Sequence, residues 1–124
     1  MEKQLVGKRG EQAAALFLQQ KGYEVVGMNY FVRGGEIDII AWDLSGGEQT
    51  LCFVEVKTRK HQDGSAERAT NYLKLKRIFR AARFYCVRER IDTSVTPIRF
   101  EHVSVCGAEA GGRFEISHYI IPVD

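Results

Sequence analysis

The sequence predicts an α+β domain with a mixed sheet, in the order α-β-β-β-α-β-β. Three observations lead there. Two segments repeat apolar residues at three- and four-residue spacing. Five others show the two-residue alternation or the short apolar runs of strands. Turn-forming residues separate them at Arg33-Gly34-Gly35, at Ser45-Gly46-Gly47-Glu48 and between Gly107 and Gly112. The 124 residues, without linker, repeat or low-complexity tract, amount to a single domain, 1–124.

The first helix spans Leu5 to Lys21, with Leu5, Ala13, Leu16, Phe17 and Gln20 on one face and Gly22 as the C′ residue. Gly7, Gly10 and Ala14 form a small-residue stripe. Glycine weakens a helix, so the stripe implies close approach by another element or by a site. Tyr23 to Phe31 is β-prone but interrupted by Gly27 and Asn29. Glu36 to Trp42 and Thr50 to Lys57 follow as strands joined in a hairpin. Gln62 to Ser65 reads as a loop, and Ala66 to Arg90 as a long helix with the apolar stripe Leu75, Ile78, Phe79, Ala82 and Cys86. Ile98 to Val105 and Arg113 to Ile121 complete the set as strands.

Composition removes several function classes. Hydrophobic residues at 44% and charged residues at 27% exclude a disordered or collagen-like chain. No apolar run approaches the roughly 18 residues of a membrane helix. The first residues carry glutamates and no apolar core, so a cytoplasmic location is expected, with no membrane partner. Cys52, Cys86 and Cys106 are odd in number, far apart and without a CxxC pair. They read as buried thiols rather than a disulfide framework or a structural zinc site.

Charge is informative by segment. The net charge is only +2, yet residues 57–90 hold eleven basic and three acidic side chains, a +8 segment between two of −3. This fits an electrostatic footprint for a polyanion, or a solvated basic helix face. The central strands add a second anomaly. Glu36, Asp38 and Ile40 share one face of their strand, with Ile37 and Ile39 opposite; Phe53, Glu55 and Lys57 share a face of the next, with Cys52, Val54 and Val56 opposite. Carboxylates beside buried residues need a partner. The hairpin can bring Asp38 near Glu55, and a divalent cation between them would relieve their repulsion. Mg²⁺ suits a site with one or two carboxylates. Lys57 points to the same side, where it could orient an attacking water and stabilise charge on a phosphate. Glu11 is a further carboxylate from the first helix. The simpler alternative is an ion pair of Lys57 with Asp38 or Glu55 on a half-exposed face.

These residues resemble a known pattern. Asp38, then Glu55-Val56-Lys57 seventeen positions on, in this element order, looks like the PD-(D/E)XK nuclease superfamily. More closely, Gly7-x-x-Gly10-Glu11, Gly35-Glu36-Ile37-Asp38-Ile39-Ile40, Phe53-Val54-Glu55-Val56-Lys57-Thr58-Arg59 and a helix with Lys76 and Ala82 resemble the YraN-type family of small endonuclease-like proteins, over roughly residues 4 to 105. The resemblance implies a restriction-endonuclease-like core. It implies that Asp38, Glu55 and the Val56 carbonyl hold Mg²⁺ or Mn²⁺, that Lys57 serves the water, and that Glu11 is an accessory catalytic acid. Arg59 and Lys76 would face nucleic-acid phosphates, and Lys60, Lys74, Arg77 and Arg80 of the same basic segment join them as candidates. The small size is most like the Holliday-junction resolvases of the superfamily, so the expected partner is DNA, branched or single-stranded, and a homodimer would suit a symmetric junction. The chain departs from the pattern at Glu101-His102, where Asp and an apolar residue are common, and at Phe31, where a basic residue is common.

The expected function is therefore a metal-dependent DNA endonuclease. The rivals are a non-catalytic nucleic-acid-binding module and a scaffold whose basic face meets an acidic protein. His61, His102 and His118 lack metal-binding spacing. Trp42 reads as packing. Tyr72, Phe84 and Tyr85 overlap the apolar stripe and read as core or dimer packing more readily than as base-stacking rings.

Overall fold

Alternating apolar residues pair five strands into one sheet. The computed structural model describes residues 2–59, 72–107 and 113–123, with side chains from Lys8 onward. The elements are α1 (Glu2–Gln20), β1 (Tyr23–Val32), β2 (Gly35–Asp43), β3 (Thr50–Arg59), α2 (Tyr72–Arg88), β4 (Ile98–Gly107) and β5 (Phe114–Ile120). The strands lie side by side in chain order. Three neighbouring pairs are antiparallel and β3–β4 is parallel. The parallel pair requires a long crossover, and α2 lies within it. This is an α+β fold with a mixed sheet, and its strand order is compatible with a nuclease-like core. The predicted loop 62–65 and the start of the predicted helix at Ala66 lie outside the described residues, as do Lys60 and His61.

Among the described residues, each face of the sheet carries one helix. Ile39, Ala41, Cys52, Val54, Val103 and Val105 pack with Ala14, Ala15 and Leu18 of α1. Leu51, Phe53, Ile37 and Ile40 pack with Ile78, Ala81, Ala82 and Cys86 of α2. The buried face of α1 differs from the predicted one. Leu16 is exposed, while Gly10, Ala14 and Leu18, one turn apart, turn inward. The small residues themselves form the contact, because a Cβ on Gly10 would come within 3.0 Å of Thr58 Cβ on β3. On β2 the predicted alternation breaks at Asp38: Ile37 packs beneath α2, whereas Ile39 packs beneath α1. In β1, the interruption predicted at Gly27 and Asn29 is a bulge between Val25 and Gly27, with Asn29 at a φ of 53°. All three cysteines are buried and free. No helix among the described residues is long and apolar enough to cross a membrane.

A buried polar knot ties β1, β4 and β5 together. Glu101, fully buried, accepts hydrogen bonds from Tyr23 Oη at 2.9 and 3.0 Å and from Arg99 Nε at 2.6 Å, and lies 2.5 Å from His118 Nε2. Burial pushes the Glu101 carboxyl up, but the bonds from His118 and Arg99 outweigh burial and hold its pKa below the usual value. Arg99 also pairs with Asp43, which accepts from Ser45. A buried charge is tolerated only when satisfied in this way.

Gly35 is pressed against α2, where a Cβ would stand 2.5 Å from Arg77 O and 3.0 Å from Ala81 N. Both are helix backbone and cannot turn aside. Gly35→Ala should therefore destabilise the protein by about 1–3 kcal/mol and lower Tm by several degrees. Gly46→Ala, with nothing within 4 Å, should leave Tm nearly unchanged. Thermal unfolding of both variants checks the contrast.

Candidate metal centre

The cleft exists because β2 and β3 part company. Their ladder runs from Asp43↔Thr50 only as far as Ile39↔Val54, while β3 continues to Arg59 alongside β4. Past Val54 the β2-facing edge of β3 has no strand to pair with. The Asp38 carboxylate takes the place of the missing ladder bond: Val56 N–H donates to Asp38 Oδ2 at 2.8 Å. Both strands thus present carboxylates into one opening.

Glu11 of α1, Glu36 and Asp38 of β2, Glu55, Val56, Lys57 and Thr58 of β3, and Lys74 and Arg77 of α2 line this cleft of about 320 Å³. Water occupies about 30 Å³ per molecule in the liquid, so a hydrated ion and a phosphate group fit together. The opening therefore gathers Asp38, Glu55, Lys57 and Glu11, with Lys74 and Arg77 at its rim. Of the other predicted phosphate contacts, Lys76 and Arg80 are exposed on α2, Arg59 is half-buried at the end of β3, and Lys60 lies outside the described residues.

The charges in the cleft are unbalanced. The Asp38 carboxyl is pushed up to about 7. Burial is the main cause, repulsion from Glu11, Glu55 and Glu36 adds to it, and the Val56 N–H works in the opposite direction. Glu55 is 7% exposed. One of its oxygens pairs with Lys74 Nζ, while Oε2 is buried with no hydrogen-bond partner among the described residues. Glu36 meets Arg77 at 3.6 Å. Neither Asp38 nor Glu55 pairs with Lys57 among the described residues, so the simpler ion-pair alternative is not what forms. Lys74 reaches Glu55 from α2 instead, a contact that sequence spacing does not reveal.

His102 enters the site unannounced. On β4 it stands directly beside Glu55 in the parallel register, and it is buried. Burial pushes its imidazole down to about 4, helped by Lys74, Arg59 and Lys57 nearby. It is therefore neutral near pH 7. The departure at Glu101-His102 thus has two separate consequences. Glu101 joins the polar knot beneath α1, and His102 stands beside the cleft on the opposite face.

The donor set fits a hard divalent cation. Among the described residues, no three Asp, Glu, His or Cys side chains are gathered into a metal-binding group. Two carboxylates, a backbone carbonyl and solvent are what Mg²⁺ typically accepts. The buried Glu55 Oε2 and the raised Asp38 pKa are the signs of missing positive charge.

A family model described as "Uncharacterised protein family UPF0102" matches residues 10–105. The chain belongs to this family. It is the YraN family that the motifs resemble. The match contains Glu11, Asp38, Glu55, Lys57 and His102 and stops short of β5. A UPF0102 protein of Pelobacter propionicus is 37% identical over 115 residues, covering 92% of this chain and 79% of the relative. One of Prosthecochloris aestuarii is 43% identical over 121 residues, covering 91% and 88%. One of Symbiobacterium thermophilum is 44% identical over 101 residues, covering 81% and 80%. The UPF0102 match therefore extends well beyond the short ExK motif to both helices and four of the strands.

The pKa shifts carry a sign. Asp38 binds its proton more tightly folded than unfolded, so it subtracts stability as pH rises from about 4 to about 7. His102 binds its proton less tightly folded, so it adds stability between about 4 and 6.5. The two slopes oppose each other in wild type. Asp38→Asn removes the first, so its stability relative to wild type should rise by at least about 1 kcal/mol between pH 4 and pH 7.5. Urea denaturation in EDTA at the two pH values measures this. Millimolar Mg²⁺ or Mn²⁺ should raise Tm of wild type at pH 7.5 and leave Asp38→Asn unmoved.

Proposed function

We propose that this UPF0102 protein is a divalent-metal-dependent DNA endonuclease. One observation carries the reading: Asp38 and Glu55 meet in an opening of the sheet, beside Lys57, with a carboxylate oxygen buried and unsatisfied among the described residues. Asp38, Glu55 and the Val56 carbonyl would hold Mg²⁺ or Mn²⁺. The ion, when bound, supplies Lewis acidity toward the phosphoryl oxygens and lowers the pKa of water.

The remaining work falls to the chain. Lys57 orients the attacking water and meets the negative charge that grows on the phosphoryl oxygens. Water adds to phosphorus in line, one P–O ester bond breaks, and the departing oxygen gains a proton from solvent. Glu11 supplies a further acceptor at the cleft mouth, where a water's proton can be received. Lys76 and Arg80 hold neighbouring phosphates from α2, and Arg77 can exchange Glu36 for a phosphate. So small a surface favours recognition of backbone and shape over base sequence.

A second reading, a nucleic-acid-binding module without catalysis, is favoured by the Lys74–Glu55 pair, which neutralises one carboxylate from within the chain. End-labelled duplex, single-stranded, flap and four-way-junction DNAs, incubated with Mg²⁺ or Mn²⁺, separate the two. Wild type should yield metal-dependent products that drop at least about 100-fold in Asp38→Asn and Lys57→Ala, a loss typical of removing a catalytic group. Retained binding with no cleavage by wild type would favour the module, and equal cleavage by all three proteins would refute the assigned roles.

A further inference from the structure

We propose that the outward face of α2 is a track for a single DNA strand, with Tyr72 and Phe84 as its base-stacking rings. The inference deepens the nuclease reading, and rests on it for the identity of the polyanion.

At 100° per residue, Tyr72, Lys76, Arg80, Arg83, Phe84 and Val87 fall within an arc of about 120° on the helix. The buried residues Ile78, Ala81, Ala82 and Cys86 occupy the other side. The arc is exposed throughout, with Tyr72 at 70% and Phe84 at 47%. These two rings are not core packing. Each has a cation one helical turn along: Lys76 Nζ lies 5.2 Å from the Tyr72 ring centre, and Arg80 Cζ 5.6 Å from that of Phe84. The two rings therefore bracket the cations along the track, from Tyr72 to Phe84 over about 18 Å at 1.5 Å per residue.

Charge selects the occupant. α2 carries six basic side chains and no acidic one. A second copy docked by the same face would set like charges against each other. A duplex offers phosphates to the cations but no open base faces to the rings. A single strand offers both, and stacking on exposed aromatics beside a cationic backbone path is the recognised mode for such strands. The track also leads to the cleft. Beyond Arg80 around the helix come Arg77 and then Lys74, which pair with Glu36 and Glu55 at the opening. A strand lying along the track therefore runs past the carboxylates.

The test is fluorescence anisotropy in EDTA, which prevents metal-dependent cleavage, at one salt concentration. The probes are labelled dT20, a DNA hairpin duplex of matched charge, and rU20. Wild type should bind dT20 at least tenfold more tightly than the duplex, and no less tightly than rU20. Tyr72→Ala/Phe84→Ala should weaken dT20 binding on the order of 100-fold, roughly tenfold per ring, and change duplex binding less than about twofold. Tyr72→Trp/Phe84→Trp should retain dT20 binding. Unfolding curves showing an unchanged Tm for the double alanine variant establish that it folds. Equal affinity for dT20 and duplex, indifference of dT20 binding to the alanine pair, or tighter binding of rU20 would each overturn the proposal. So would a dimer in sedimentation equilibrium that the alanine pair dissociates. A protein that binds dT20 as expected but cleaves nothing with Mg²⁺ or Mn²⁺ would refute the nuclease reading and leave the track standing.

Discussion

A single hydrogen bond, from Val56 N–H to Asp38 Oδ2, marks the place on which the rest of the candidate site depends. A sheet that simply continued would satisfy that N–H with a backbone carbonyl of β2 and would leave no opening. Here a side chain substitutes for the ladder, so β2 can turn away without stranding a buried donor. The same turn moves Ile37 to the α2 face while Ile39 stays on the α1 face. The cleft is thus a consequence of how one strand ends its pairing. Gly10 on α1 and Gly35 on β2 serve it at the two helix–sheet contacts, each allowing close approach where a Cβ would collide.

The electrostatics follow from that opening. Four carboxylates come from three elements into a partly dry cleft, where Lys57 also lies and where Lys74 and Arg77 pair with Glu55 and Glu36. Burial, with repulsion added, raises the Asp38 pKa, and a buried oxygen of Glu55 has no hydrogen-bond partner among the described residues. Structural carboxylates are treated differently in this same protein. Glu101 has no solvent exposure, whereas Asp38 is half-buried, yet Glu101 is surrounded by Tyr23, Arg99 and His118, and its pKa is lowered. Among the described residues, both Glu101 oxygens have partners and one Glu55 oxygen has none. That contrast is the physical argument for reading the first as architecture and the second as a place for chemistry.

The polar knot also explains how the cleft keeps its shape. It joins β1 to β4 and β5 on the α1 side, at the opposite face from Glu55 and Lys74. Arg99 reaches on to Asp43 at the end of β2. The start of β2 can therefore diverge while its other end stays anchored. The same β4 strand brings His102 beside Glu55, so adjacent residues serve the two faces.

Much of this was legible in the sequence. Element order, the hairpin, the buried thiols, and the convergence of Asp38, Glu55 and Lys57 follow from period-2 alternation, turn residues and the placement of charge in apolar strands. These are local properties, set by the geometry of each element. On α1 the small-residue stripe announced the close approach that Gly10 makes to Thr58, but Leu16, assigned inward for its hydrophobicity, faces out. The break in alternation at Asp38, the Lys74–Glu55 pair, the Glu101 knot and the position of His102 were not legible at all. The break lies in how β2 leaves β3, and the other three join elements that the pairing of the strands and the seating of α2 bring together. Sequence by itself determined which residues carry the charge. Tertiary structure decided which charges are satisfied, because satisfaction depends on neighbours that the order of residues does not contain.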